Sequence, residues 1–187
     1  MMTRSSANHQ RVHEGPVLPG DRRLSPGHHA AEIFEITADV TEELAVDRIA
    51  GRLAAIDNAN HAPELPAATP ILIAGFSQGA CLSIEYAMTY GAWNVALVAL
   101  TGCRVGQGSD DKPNADVRML PAYVSGSNAD PWIPLSAFTQ AAHEFGAAGA
   151  RLRTDVFPGR AHEVSDVEIG VVQQALSSIA MSGEVQW

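Results

Sequence analysis

The stretch that most constrains the fold of this chain is residues 70–90, where a short apolar run leads through a tight turn into a helical pattern. Residues 70–74 are all apolar and predict a buried strand, while the apolar positions within 80–88 predict a buried helix face. Ser77 is the centre of the sequence Gly-Phe-Ser-Gln-Gly that joins them. In this context the sequence predicts a nucleophile elbow, a turn so sharp that small residues must flank the serine. The alternative is an ordinary glycine-rich turn.

Composition and charge limit the classes of protein that this chain can belong to. A chain of 187 residues with 46% hydrophobic residues predicts one domain with a real core. The net charge of −9 argues against a nucleic-acid partner. No apolar run is long enough to span a membrane, and the first residues lack the apolar segment of a secretory signal. Cys81 and Cys103 do not make a disulfide framework, and Cys81 is expected in the core, so we expect a reduced, cytoplasmic protein.

The N-terminal part of the chain differs in composition from the rest. Residues 1–30 are polar and rich in proline, glycine, histidine and arginine, which is typical of an arm outside the folded domain, here residues 31–187. The arm contains the histidines His9, His13, His28 and His29. Their spacing fits no metal-ligand pattern, so we predict no metal site.

Strand and helix patterns alternate along residues 31–187. Apolar or alternating runs predict strands at 32–36, 95–100, 119–126 and 151–157, in addition to the strand before Ser77. Helical spacing predicts a helix from Asp39 or Thr41 to about Ile56, a loop over 58–69, and a last helix whose buried face is Ile169, Val172, Leu176 and Ile179. This alternation predicts an α/β fold with a mostly parallel sheet and helices on both faces.

Two further side chains fit a hydrolytic site together with Ser77. A serine hydroxyl needs a base to take its proton, and that base needs an acid to orient it. Asp130 follows the strand 119–126 and His162 follows the strand 151–157, so all three positions come just after strands, where ligands gather in open α/β sheets. Considered alone, Asp130 fits a turn before a proline and His162 fits a surface loop. Their order, serine, acid and histidine, is that of α/β-hydrolases.

The sequence resembles the phospholipase/carboxylesterase family of α/β-hydrolases, which includes the acyl-protein thioesterases. The resemblance covers roughly residues 40–180, and its motifs are the elbow at 75–82, Leu-Thr-Gly at 100–102, the acid loop at 126–134 and Phe-Pro-Gly-Arg-Ala-His at 157–162. It implies a serine hydrolase that cleaves a small or medium carboxylic ester or thioester without a cofactor. The implied roles are Ser77 as nucleophile, Asp130 as acid, His162 as base and the backbone N–H of Gln78 as an oxyanion donor. Phe76 and Trp132 are candidates for the substrate pocket or for the core.

The sequence departs from the family pattern before the elbow. The family has an apolar strand that ends in a Leu-His-Gly type of loop, and this loop supplies a second oxyanion N–H. No such stretch stands in residues 1–69, so the fold is expected to be N-terminally shortened. Losing one oxyanion donor slows catalysis by about 10²–10³-fold. The alternative is therefore a catalytically weak or inactive α/β-hydrolase-like binding protein.

The same departure leads to a prediction about assembly. Without a flanking strand, residues 71–75 would form an apolar strand edge with unpaired backbone groups, which native proteins seldom leave bare. Either residues 33–36 fill this position or a second copy of the chain does. We favour the second copy, and therefore a homodimer.

Overall fold

In a computed structural model, the described part of the chain forms a parallel sheet of five strands packed between helices. The structure describes residues 32–35, 46–61, 63, 69–93, 95–106 and 111–187. The elements in chain order are β1 (Glu32–Glu35), α1 (Val46–Asn60), β2 (Ile71–Phe76), α2 (Gln78–Tyr90), β3 (Val95–Leu100), β4 (Pro121–Gly126), α3 (Leu135–Ala147), β5 (Arg151–Val156) and α4 (Asp166–Ser182). The strands lie in the order β1-β2-β3-β4-β5, and each pair is parallel. The predicted α/β-hydrolase type of fold is confirmed.

Alternate residues of the strands contribute to two hydrophobic cores, one on each face of the sheet. On one face, Ile73 and Leu97 pack with apolar residues of α1, α2 and α3. On the other face, Leu72 and Val98 pack with Val171 and its neighbours in α4. The wholly apolar sequences of β2 and β3 follow from this arrangement, because a strand covered on both faces has no polar side. The predicted helices on both faces are therefore present.

The buried face of helix α4 partly matches the predicted one: Ile179 is buried and Val172 and Leu176 are partly buried against the core, but Ile169 is exposed. Ile169 is 45% exposed, whereas Val171, Ala175 and Ile179 are buried. The reason lies one residue before Ile169, at Glu168, whose side chain is fully buried and bound to Arg160. The helix is thus oriented by a buried ion pair as well as by its apolar residues. The spacing of apolar residues in the sequence does not predict this ion pair.

Strand β1 occupies the sheet edge that the sequence analysis assigned to a second copy. Glu32 pairs with Ile71 and Glu35 with Ala74, in parallel register. The alternative that an N-terminal segment fills this position is the one observed, and the reason given for a homodimer is removed. A homodimer stays a prediction without that support. The proposed caps of the first helix, Asp39 and Thr41, and the four arm histidines lie outside the described residues, and α1 extends to Asn60, past the predicted start of the loop.

Candidate active site

Ser77 stands at the sharp turn between β2 and α2. Its backbone has φ 56° and ψ −116°, a conformation that non-glycine residues seldom adopt. Its N–H donates to the carbonyl of Leu100, 3.0 Å away, which ties the turn to the end of β3. A Cβ on Gly75 would lie 2.3 Å from the carbonyl carbon of Gly79, so the two glycines allow the backbone to double back. The predicted elbow is thus built in the way its sequence implies.

The close approach at Gly75 leads to a stability prediction. Gly75→Ala is expected to lower the free energy of unfolding by about 3 kcal/mol, because the added methyl group meets backbone atoms that cannot rotate away. Gly170→Ala is the matched control: nothing lies within 4 Å of its added Cβ in the exposed face of α4, so it should be neutral or slightly stabilising. Urea unfolding of both variants tests this. Equal stabilities of the two variants would show that the turn has room for a side chain.

Ser77, His162 and Asp130 form one chain of hydrogen bonds at the carboxyl edge of the sheet. His162 Nε2 lies 2.8 Å from Ser77 Oγ, and His162 Nδ1 lies 2.8 Å from Asp130 Oδ2. The three residues follow β2, β5 and β4 respectively, and parallel strands bring these ends to the same edge. The structure therefore brings together the three side chains selected from the sequence.

Asp130 is held as a carboxylate by its surroundings. Its Oδ1 accepts the backbone N–H groups of Trp132 at 2.8 Å and Ile133 at 2.9 Å. Burial raises the pKa of the Asp130 carboxyl, but the hydrogen bonds from Ile133, His162 and Trp132 outweigh burial and hold that pKa below its ordinary value. An ionised Asp130 can only accept a hydrogen bond, so His162 Nδ1 is the donor. His162 Nε2 is then the nitrogen that can accept a proton from Ser77.

Comparison with a protein-family model decides the family. The model described as Phospholipase/Carboxylesterase matches residues 32–180. The chain belongs to this family. No protein among curated sequences matches the chain significantly.

Solved structures agree with the phospholipase/carboxylesterase family in fold. A phospholipase/carboxylesterase from Dyadobacter fermentans is 31% identical with a TM-score of 0.61, covering 70% of this chain and 64% of that chain. A carboxylesterase from Mesorhizobium loti is 18% identical with a TM-score of 0.58, covering 70% and 62%. SOBER1 from Arabidopsis thaliana is 20% identical with a TM-score of 0.56, also covering 70% and 62%. The present chain thus spans less than two thirds of the length of each of these three proteins.

The two aromatic residues predicted for the substrate pocket of this family member lie at the surface beside the hydrogen-bonded chain. Phe76 is 37% exposed, and its ring centroid lies 4.9 Å from that of His162 with the planes tilted by 40°. Trp132, within the acid loop, is 74% exposed, and its backbone N–H donates to Asp130 Oδ1. Neither is a core residue. A role of these side chains in substrate binding stays a prediction.

Gln78 is the first residue of α2, at the positive end of the helix dipole. Its oxyanion role stays a prediction.

Across the part of the chain that the structure describes, no group of three or more metal-ligating side chains is found, and no helix is long and apolar enough to cross a membrane.

No role was predicted for Arg160 or Glu168, a buried ion pair that lies close in sequence to His162. Arg160 is two residues before His162, and its guanidinium binds the buried carboxylate of Glu168. The only sequence signal was indirect: an arginine stands inside the Pro-Gly turn, and a glutamate stands three residues after Ser165, as in a capping box. The capping box explains one bond of Glu168 but not its complete burial.

Proposed function

We propose that the protein is a serine hydrolase that cleaves a small or medium carboxylic ester, or a thioester, through an acyl-enzyme. The observation that carries this proposal is the continuous chain Ser77–His162–Asp130, with both nitrogens of His162 at 2.8 Å from their partners. A histidine held between a hydroxyl and a carboxylate is the arrangement that turns a serine into a nucleophile. Membership of the phospholipase/carboxylesterase family supports the ester bond as the target.

The proposed reaction has two halves. In the first, His162 Nε2 accepts the proton of Ser77 as Oγ attacks the carbonyl carbon, and the resulting oxyanion is stabilised by the N–H of Gln78. The bond to the leaving group then breaks, and the imidazolium returns its proton to the departing alcohol or thiol. In the second half, His162 activates a water molecule that attacks the acyl carbon and releases Ser77 and the carboxylic acid. Asp130 stabilises the imidazolium in both halves.

A second candidate is a catalytically weak or inactive binding protein with the same three side chains. It is favoured by the sequence observation that no Leu-His-Gly type of loop is found in residues 1–69. One missing oxyanion donor would leave the rate about 10²–10³-fold lower. The two candidates therefore differ in rate, and a direct assay separates them.

Hydrolysis of p-nitrophenyl acetate and butyrate tests the proposal. The wild-type chain is expected to turn over repeatedly, and Ser77→Ala is expected to reduce turnover to the level of solvent. Ser83→Ala is the matched control, because Ser83 is a buried serine of α2 whose hydroxyl bonds to the carbonyl of Gly79. Wild-type activity in Ser77→Ala would refute the nucleophile, and a wild type without any turnover would favour the binding protein.

We also propose that the protein works in a reducing compartment such as the cytoplasm. Cys81 and Cys103 are both free thiols, and their sulfur atoms lie 4.0 Å apart. Two thiols this close would be prone to oxidation outside such a compartment.

A further inference from the structure

Arg160 connects the turn before His162 to the loop before Asp130 and to two further segments. Its side chain is only 7% exposed. The guanidinium donates to Glu168 in the first turn of α4 and to Thr101 Oγ1, 2.6 Å away, just after β3. Its carbonyl oxygen accepts from Ser127 Oγ, 2.5 Å away, in the loop after β4. One residue thus joins the turn before His162 to three other segments.

Glu168 completes this cluster as a buried anion. Its carboxylate accepts from the N–H and the hydroxyl of Ser165, both at 2.7 Å, from the hydroxyl of Ser125, and from Arg160. Burial raises the pKa of the Glu168 carboxyl, but the hydrogen bonds from Ser125, Ser165 and Arg160 outweigh burial and lower the pKa below its ordinary value. Arg160 therefore faces a carboxylate that stays charged at neutral pH.

The same cluster ties the His162 turn to the Asp130 loop. Besides the bond from Ser127 to Arg160, the N–H of Gly159 donates to Asn128 Oδ1 at 2.8 Å. Ser127 Oγ also accepts the N–H of Ala129, the residue before Asp130, at 3.1 Å. These bonds connect the turn that carries His162 to the loop that carries Asp130 through the backbone of the turn, at the carbonyl of Arg160 and the N–H of Gly159.

From these contacts we propose that Arg160 and Glu168 are positioning residues that hold the His162 imidazole between Ser77 and Asp130. The inference rests on the proposed function, and it adds to that function the residues that hold the base, His162, in position. A buried ion pair is seldom more stabilising than apolar residues of the same size, so stability alone does not explain its presence. The planar fork of arginine fixes two directions at once, here toward Glu168 and Thr101, which a lysine cannot reproduce.

The double variant Arg160→Met/Glu168→Gln removes both charges together and so leaves no unpaired buried ion. We expect kcat for the p-nitrophenyl ester to fall by about 10²-fold with KM nearly unchanged, because a displacement of about 1 Å of a catalytic group costs about that much. If the double variant only contained less folded protein, its apparent kcat would fall in proportion to the folded fraction. Circular dichroism measures that fraction in the same samples.

The matched control is Arg104→Met/Glu85→Gln. Arg104 is equally buried, and it binds Glu85 at 2.6 Å and Glu144 at 2.7 Å, connecting α2 and α3. Glu85 also accepts a backbone N–H, that of Val105, as Glu168 accepts that of Ser165. This variant should lose comparable stability and keep kcat close to that of the wild type. Equal losses of kcat in the two double variants would overturn the proposal.

A second measurement does not depend on activity. The imidazole N–H that His162 donates to Asp130 should give a far-downfield proton resonance, which His162→Ala assigns by removing it. We expect Arg160→Met/Glu168→Gln to shift or abolish this resonance and the control to retain it. A resonance and a kcat that both stay as in the wild type would overturn the proposal, as would a change in only one of them.

The two experiments separate this inference from the proposed function. If the wild type lacks esterase activity, the proposed function fails, and the resonance alone decides whether Arg160 and Glu168 position His162. If the double variant does not fold, Arg160→Lys keeps the buried charge of Glu168 paired while losing the fork. The kcat of Arg160→Lys should then lie between those of the wild type and His162→Ala, and its downfield resonance should be shifted or weakened. Wild-type values of both would contradict the proposal.

Discussion

Replacing His162 with alanine is expected to slow ester hydrolysis and fluorophosphonate labelling of Ser77 by about 10⁴–10⁶-fold. The Ser77 hydroxyl has its proton acceptor at 2.8 Å in His162 Nε2, and without that base it is barely nucleophilic. The labelling rate is measured by intact-protein mass spectrometry over time. It reports on the first bond-forming step and is independent of the acyl and leaving groups that the natural substrate carries.

His143 provides the matched control for this variant. It is an exposed histidine of α3, away from the Ser77–His162–Asp130 chain, so His143→Ala should label at the wild-type rate. Rapid labelling of His162→Ala would refute the assignment of the base. Loss of labelling in both variants would point to a general loss of structure.

Asp130→Asn is expected to reduce kcat by about 10⁴-fold while leaving the fold nearly unchanged. In the wild type the carboxylate, whose pKa is lowered by its hydrogen bonds, can only accept, and this keeps the proton of His162 on Nδ1. An asparagine can present its N–H₂ group to Nδ1 instead. The imidazole proton then moves to Nε2, which can no longer take the proton of Ser77. Steady-state kinetics at neutral pH measure the effect.

Asp155→Asn is the control for the acid. Asp155 is a partly buried aspartate of β5 whose carboxylate binds Tyr123 at 3.0 Å and Arg153 at 2.9 Å, on the outer strand of the sheet. Its replacement should change kcat by less than a factor of about ten, since it does not contact the hydrogen-bonded chain. A loss of similar size in Asp130→Asn would show that the orienting carboxylate has been misassigned.

The parts of the fold that sequence reasoning predicted are those defined by local patterns. Few other structures are compatible with the apolar runs of β2 and β3 and with the glycines around Ser77. The strand, the turn and the helix were therefore all predicted. Parallel strands gather their carboxyl ends at one edge. For this reason the positions of Asp130 and His162 after β4 and β5 were enough to predict that they approach Ser77.

The parts that it did not predict depend on pairs distant in the sequence. Thr101 lies 59 residues from Arg160, and nothing in the local sequence of either residue predicts their hydrogen bond. No prediction was made for Glu168, which is fully buried and accepts a hydrogen bond from Ser125, 43 residues away in the sequence. The choice between β1 and a second chain at the edge of β2 was likewise a question of long-range pairing.

Mapping the site of a fluorophosphonate adduct tests the central claim most directly, because the reagent reacts only with a hydroxyl that a neighbouring base has activated. The account predicts a single adduct per chain, on the peptide that contains Ser77, which disappears in Ser77→Ala and persists in Ser83→Ala. A folded wild-type chain that forms no adduct, or one that is modified at another residue, would contradict it.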